Sequence, residues 1–340
     1  MKSLLYSLFL LLFSMGINAC DKTPPADTPQ PPQPEQGLPK FYVIGSRFDK
    51  VTSPQGGVVL AGGGSDVDKA MQWFLRRADG GDVVVLRASG DSGYNGYLYN
   101  KVGVDVNSVT SIVFTDRSQA DKDSVYNTLM RAEAVFLAGG DQSKYVSYWD
   151  DTKVSKAFSQ LIERGVPFGG TSAGMAVLGE VVYSARYESV TSREALRNPY
   201  DANVSLVRDL IVHPLTRNIV TDTHFSQRER MGRLLTFMAR AKTDWAMDIH
   251  AIAADERSAV AIAPDGMAQV FGKRAFFVGD VAGAPEVCEK HTALTWLYDG
   301  EALTSYPMTP ADGAFDTKRW QPVGSVAPEY LSVDNGTIVP

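Results

Sequence analysis

Cysteine is nearly absent from this chain: there are two in 340 residues, Cys20 and Cys288, so a disulfide framework is excluded. Histidine is scarce as well, at four, and no run of His, Cys, Asp and Glu has the spacing of a metal site, so neither a metal nor another cofactor is expected. Positive charge is not in excess. The formal net charge is -6 and no basic stripe or cluster occurs, which argues against nucleic acid as a partner. A complete dinucleotide fingerprint is missing too. Gly62-Gly63-Gly64 follows a strand-like run but lacks the third spaced glycine, and Asp66 and Asp68 stand where a pyrophosphate would lie; Ser65 with Asp68 reads instead as a helix N-cap.

What is present is the composition of an ordinary globular protein, 44% apolar and 21% charged, long enough for one large or two ordinary domains. The first twenty residues have one lysine, an apolar run from Leu4 to Phe13 and small residues ending at Cys20, the pattern of a secretory signal that is too short to span a bilayer as a helix. Ile17-Asn18-Ala19-Cys20 resembles a bacterial lipobox, which implies cleavage before Cys20, a lipid on its sulfur and a place in the cell envelope, anchored to a membrane. Residues 1–19 are then the signal peptide. Residues 20–39, rich in proline, read as an extended tether.

From Gly57 onward, short Val-rich runs alternate with amphipathic ones. Val58–Ala61, Val83–Leu86, Ser111–Thr115, Ala134–Ala138 and Val166–Phe168 read as strands; Asp66–Ala78, Ser124–Arg131 and Val154–Arg164 read as helices. This order predicts an α/β fold, a mostly parallel sheet with helices on both faces. After about residue 250 shorter, turn-rich strand-like pieces predict β-hairpins added at one end. The main domain is placed at 40–280, with 281–340 as a C-terminal extension packed on it.

The most informative stretch is VPFGGTSAGMAV, residues 166–177. An apolar run ends in two glycines, a serine follows, and a helix-forming run begins at Ala173. Gly170-Thr171-Ser172-Ala173-Gly174 satisfies G-x-S-x-G, a strained strand-to-helix turn that lifts a serine oxygen clear of the sheet, so Ser172 is a candidate nucleophile. The alternative is a small-residue turn in which Thr171 or Ser172 only caps the helix. Ala138-Gly139-Gly140-Asp141-Gln142 follows another strand, and ligands gather at the carboxyl ends of strands in open α/β sheets. The amides of Gly140 and Ala173 are candidate oxyanion donors.

A serine nucleophile needs a base. His224 follows the buried-strand run Ile219-Val220, and Ser226 with Glu229 reads as a capping box starting a helix near Gln227. Arg228, Arg230 and Arg233 then lie in the first two helical turns, placed to hold an anion such as a carboxylate or to pair with Asp222 and Glu229. His213 is the rival base. For the carboxylate that orients the imidazole, Glu180 falls roughly 12 Å down a helix from Ser172, and spacing does not choose between Glu188 and Glu194.

Gly-Gly-Asp-Gln at 139–142, Gly-Thr-Ser-Ala-Gly at 170–174 and Asp222-x-His224-Phe225-x-x-Arg228-x-Arg230-x-x-Arg233 together resemble the cyanophycinase family of serine peptidases, related to peptidase E, an aspartyl dipeptidase. The resemblance implies a class I glutamine amidotransferase-like fold. It also implies a Ser-His-Glu triad of Ser172, His224 and Glu194, the last by its setting near Ser, Thr and Pro residues, with Gln142, Asp222 and the three arginines lining the cleft. The implied partner is a peptide or cyanophycin-like substrate, a polyaspartate carrying arginine on its side-chain carboxyls, and a homodimer stays open. Two readings compete with it: an inactive surface binding module of the same fold, and an α/β-hydrolase-type esterase. The HGGG loop that would support the esterase is absent. Thr223 departs from the family pattern, which usually has glutamine there, and the segment between Ser172 and His224 is long.

Overall fold

The computed structural model describes residues 37–280 and 283–339; the signal sequence, Cys20 and most of the tether lie outside them. In chain order the first half comprises β1 (Lys40–Gly45), β2 (Val58–Ala61), α1 (Asp68–Arg76), β3 (Asp82–Arg87), α2 (Gly93–Gly96), β4 (Ser108–Val113), α3 (Asp123–Leu129), β5 (Ala134–Leu137), α4 (Gln142–Trp149), α5 (Lys153–Glu163), β6 (Phe168–Thr171) and α6 (Ala173–Ala176). Strands β4, β3, β5, β6 and β2 lie side by side and parallel, with β1 antiparallel on the outer edge. This is the parallel heart that the Val-rich runs predict.

Alternate side chains of these strands go to opposite faces, as the two-residue period of a strand requires. Val84, Leu86, Val135 and Leu137 pack with Val125, Leu129, Tyr145, Trp149 and Phe158 of α3, α4 and α5. Val59, Val83, Val85 and Phe136 meet Ala70, Met71, Phe74 and Leu75 of α1. Each large apolar side chain so buried contributes about 1.5–3 kcal/mol over leaving it in water. The expected cap of α1 does not form. Val67 occupies the N-cap position with no side-chain bond, and Ser65 stays in the preceding loop.

The second half continues with β7 (Val181–Tyr183), α7 (Ser192–Arg197), β8 (Leu206–Arg208), β9 (Ile219–Asp222), α8 (Met231–Trp245), β10 (His250–Ala254), β11 (Ser258–Ile262), β12 (Met267–Gly272) and β13 (Ala275–Asp280). Here the chain departs from a single sheet. Antiparallel β11 occupies the free edge of β2, so β7, β9 and β10 assemble into a second sheet whose order continues through β13. One face of it, through Val220, Ala251, Ala253 and Val278, packs on Leu234, Leu235, Phe237 and Met238 of α8. The other, through Ile252, Ala254 and Phe277, meets Val260 and Ile262 of the first sheet in the main core.

The last strands, β14 (Leu303–Met308), β15 (Ala314–Asp316), β16 (Gln321–Val323), β17 (Glu329–Asp334) and β18 (Thr337–Val339), enter both sheets. β15 and β16 extend the first beyond β12, and β14, β17 and β18 extend the second beyond β13. Among the described residues no helix is long and apolar enough to cross a membrane.

Candidate active site

β6 ends at Thr171 and α6 begins at Ala173, leaving Ser172 alone in the turn with φ 51° and ψ -116°. A side-chain-bearing residue rarely adopts a positive φ, and the cost of order 1–3 kcal/mol persists only where the surroundings enforce it. The flanking glycines are the enforcement. A Cβ on Gly170 would stand 2.4 Å from the Gly174 carbonyl oxygen, and one on Gly174 would stand 1.9 Å from the Leu137 carbonyl oxygen. The Ser172 N–H donates to the Ala61 carbonyl at 3.0 Å, fastening the turn to β2. No room remains for a larger residue, so the hydroxyl projects from the carboxyl end of the parallel strands.

His224 follows β9 at the equivalent end of the second sheet, also at positive φ, 45°. Its Nε2 lies 2.8 Å from Ser172 Oγ. The second sheet is tied here to the serine's helix and to the loop after β2: the Thr221 hydroxyl donates to the Met175 carbonyl of α6 at 2.9 Å, and the His224 N–H donates to the Gly62 carbonyl at 2.7 Å. Gly62-Gly63-Gly64, a loop with no ligand role in the sequence reading, forms the wall behind the imidazole. A Cβ on Gly63, whose φ is +100°, would meet His224 Cε1 at 2.4 Å.

The carboxylate at the imidazole is Glu256. Its Oε1 lies 2.7 Å from His224 Nδ1, just past the end of β10, which runs parallel to β9. This corrects the expectation of Glu194. The Glu194 carboxylate folds back onto its own helix, accepting the Thr191 N–H at 2.9 Å and the Thr191 hydroxyl at 2.7 Å in the capping box of α7. That local bond satisfies it away from the histidine. Glu180 accepts the Asn218 N–H and pairs with Arg208, and Glu188 is exposed on the loop after β7. His213 is buried elsewhere, its Nδ1 accepting the Leu215 N–H, and burial pushes its pKa down to about 4.

A usable signal for Glu256 did exist in the sequence. Ile252-Ala253-Ala254 is an apolar run ending in Asp255-Glu256, two acids at a strand's carboxyl end next to the histidine strand. The loop between them is fixed from several directions. Gln227 Oε1 accepts the Glu256 N–H at 2.8 Å, Asp255 Oδ1 accepts the Ser226 N–H at 2.8 Å, and the Arg257 N–H donates to the Gly63 carbonyl at 2.9 Å.

The arginine cluster is rearranged relative to expectation. Ser226 and Glu229 do not form a capping box: residues 226–228 make a single 3-10 turn, Glu229 is left-handed and α8 starts only at Met231. Arg233 is then on the buried face, 3% exposed, forked onto Asp222 through Nε to Oδ2 at 2.7 Å and a second guanidinium bond to Oδ1, with Tyr183 and Phe237 against its plane. Asp222 and Arg233 therefore satisfy one another beneath the site rather than lining it, because an unpaired charge there is costly. Arg230 donates to the Thr223 carbonyl at 2.8 Å, and burial lowers its pKa to about 10. Arg228 is exposed beside His224 and Glu256. Gln142 opens α4 directly after Gly139-Gly140-Asp141; a Cβ on Gly139 would lie 3.5 Å from that of Ser172, so this loop abuts the serine, as Ala173 does by sequence.

Electrostatically the balance of the site favours the neutral imidazole. Burial is the largest cause lowering its pKa and the charges of Arg228 and Arg230 add to it, while the Glu256 bond opposes them. Glu256 is held below the usual carboxylate range chiefly by its bond to His224. A neutral imidazole, oriented by a carboxylate and facing a hydroxyl, can accept the hydroxyl's proton. Among the described residues no three His, Cys, Asp or Glu side chains gather as a metal site.

A serine in a strained strand-to-helix turn, facing a histidine that faces a carboxylate, is the geometry of a serine hydrolase. Residues 95–270 match the profile of peptidase family S51, a span of just over half the chain that contains Ser172, His224 and Glu256; the protein belongs to that family and is a peptidase. It is similar to a cyanophycinase of Synechococcus elongatus, 29% identical over 66% of this chain and 68% of the relative. A second, from Trichormus variabilis, is 28% identical over 57% of this chain and 60% of its own. Among solved structures, a peptidase from an acI-B1 Actinobacterium superposes with a TM-score of 0.49 at 14% identity, over 66% of this chain and 90% of that one.

Proposed function

We propose that the protein is a serine-type peptidase acting next to aspartyl residues, with a triad of Ser172, His224 and Glu256. His224 Nε2 takes the proton of Ser172 Oγ as the oxygen attacks the carbonyl; the amides of Gly140 and Ala173 receive the oxyanion, and the imidazolium returns its proton to the leaving amine. Water then attacks the acyl-enzyme by the same exchange. Glu256 holds the tautomer with the proton on Nδ1 and stabilises the imidazolium. The observation that carries this reading is the unbroken line of contacts, 2.8 Å from serine to histidine and 2.7 Å from histidine to glutamate.

The relatives and the charge of the site support this choice of substrate class. The curated relatives are cyanophycinases, and exposed Arg228, with Arg230 behind it, suits a substrate carboxylate beside the scissile bond. The esterase reading loses ground because α/β-hydrolases order their triad Ser, acid, His, whereas here the order is Ser172, His224, Glu256. Export and lipid anchoring at Cys20 stand on the first twenty residues alone, and palmitate labelling of the wild type against Cys20→Ala tests them.

The direct test incubates the full-length chain with cyanophycin, β-aspartyl-arginine and α-aspartyl dipeptides, beside Ser172→Ala. Amine release by the wild type, reduced about 10⁶-fold in the variant, supports the proposal. Equal release by both proteins would remove the serine mechanism, and release from none of the substrates would point to the binding-module reading.

A further inference from the structure

We propose that Tyr145 is the residue that sets the oxyanion hole, by hydrogen-bonding the carbonyl of the peptide whose N–H faces the reacting carbon; this rests on the serine mechanism above. Tyr145 lies in α4 and is fully buried. Its single hydroxyl proton is shared between two successive carbonyls of the loop beside the serine, the shorter branch to Ala138 at 2.7 Å and the longer to Gly139 at 3.3 Å. The ring has nowhere to go. It is stacked on Trp149 with centroids 4.3 Å apart, and Trp149 is held edge-on by Phe114 and Phe158.

The consequence comes from the geometry of one peptide unit. The Gly139 carbonyl and the Gly140 N–H belong to the same plane and point in opposite directions in a trans peptide. Drawing the carbonyl toward the phenol of α4 turns the N–H the other way. Gly139 itself abuts Ser172, its hypothetical Cβ 3.5 Å from Ser172 Cβ and 3.6 Å from the Thr171 carbonyl oxygen, and the proposal takes the turned N–H to face that serine. The phenol also lies 3.5 Å from where a Cβ of Gly140 would be. Two glycines in succession rotate their shared peptide with little steric resistance. A flipped peptide would present a carbonyl oxygen to a developing oxyanion, replacing attraction by repulsion. Tyr145 is thus a positioning residue, and burial, which raises its pKa, keeps the phenol protonated as a donor.

The test is the rate of covalent labelling by a fluorophosphonate, which needs the serine, the histidine and the oxyanion donors but no recognised peptide. Tyr145→Phe keeps the ring and its stacking while deleting the hydroxyl. We expect its saturating labelling rate to fall about ten-fold, less than the full loss of an oxyanion donor, with the half-saturating concentration within two-fold of wild type. Trp149→Phe serves as the packing control, with a lowered Tm but a labelling rate within two-fold of wild type. A Tyr145→Phe protein that labels at the wild-type rate overturns the inference, as does a loss in Trp149→Phe equal to that in Tyr145→Phe. Failure of the underlying reading is distinguishable: it shows as no labelling of the wild type, or as equal labelling of Ser172→Ala.

Discussion

The turn that carries the serine and the turn that carries the glutamate stand at the ends of neighbouring strand systems, yet they are built in opposite ways. The serine turn is specified within five consecutive residues, and its glycines are dictated by backbone atoms that a side chain would strike. The glutamate turn has no such grammar. Glu256 is 37% exposed at its side chain, and its place comes from Gln227, from Gly63 and from His224 itself, all far off in sequence. Strain concentrated in a few residues leaves a signature; positioning spread over distant contacts leaves almost none.

This contrast predicts that damage to the two turns shows up in different measurements. The largest effect is expected from Gly174→Ala, whose methyl would lie 1.9 Å from the Leu137 carbonyl oxygen. A backbone atom cannot step aside, so a loss of about 4 kcal/mol or more in urea unfolding is expected, at the exceptional end for single substitutions. A loss below 1 kcal/mol would mean that the turn is not held as tightly as described. Gly63→Ala sharpens the comparison from the other side. The new methyl meets the imidazole, which can move. Activity is expected to fall on the order of 100-fold, as for an ångström-scale misplacement of a reacting group, while stability falls by only about 1–2 kcal/mol for the positive φ.

The smallest effect concerns pH. Arg228 is among the charges that lower the His224 pKa, so Arg228→Gln removes one cause of depression and the imidazole protonates at higher pH. The acidic limb of kcat/KM, where activity is lost as the histidine gains a proton, is expected to move upward, with unfolding within about 0.5 kcal/mol of wild type. Glu256 acts on His224 with the opposite sign, so in Glu256→Gln the residual activity should persist to lower pH. A shift of both limbs in one direction would break the electrostatic account.

Much of the fold was legible in the chain, for physical reasons that differ by region. The Val-rich runs of β2, β3 and β5 are buried on both faces, so their composition carries their location. The second sheet was not legible, because the capture of the β2 edge by β11 is a long-range pairing between ordinary apolar segments. At the site, Ser172 announces itself through Gly170 and Gly174, and His224 through its place after a buried strand. Glu194 was misleading for an instructive reason: a Thr-x-x-Glu box is satisfied within its own helix turn, and that local bond is what holds the side chain away from the histidine. Arg233 misled likewise, since a 3-10 turn and a left-handed Glu229 delay the helix and rotate this arginine into the core beside Asp222.

The most direct test of the account compares Glu256→Gln with Glu194→Gln in one kinetic series. The triad proposed here predicts that kcat falls about 10⁴-fold for Glu256→Gln, the loss typical when the orienting carboxylate becomes an amide. Glu194→Gln, which keeps a side chain able to accept in the α7 capping box, should remain within two-fold of wild type. The reverse pattern, an active Glu256→Gln beside an inactive Glu194→Gln, would contradict the assignment.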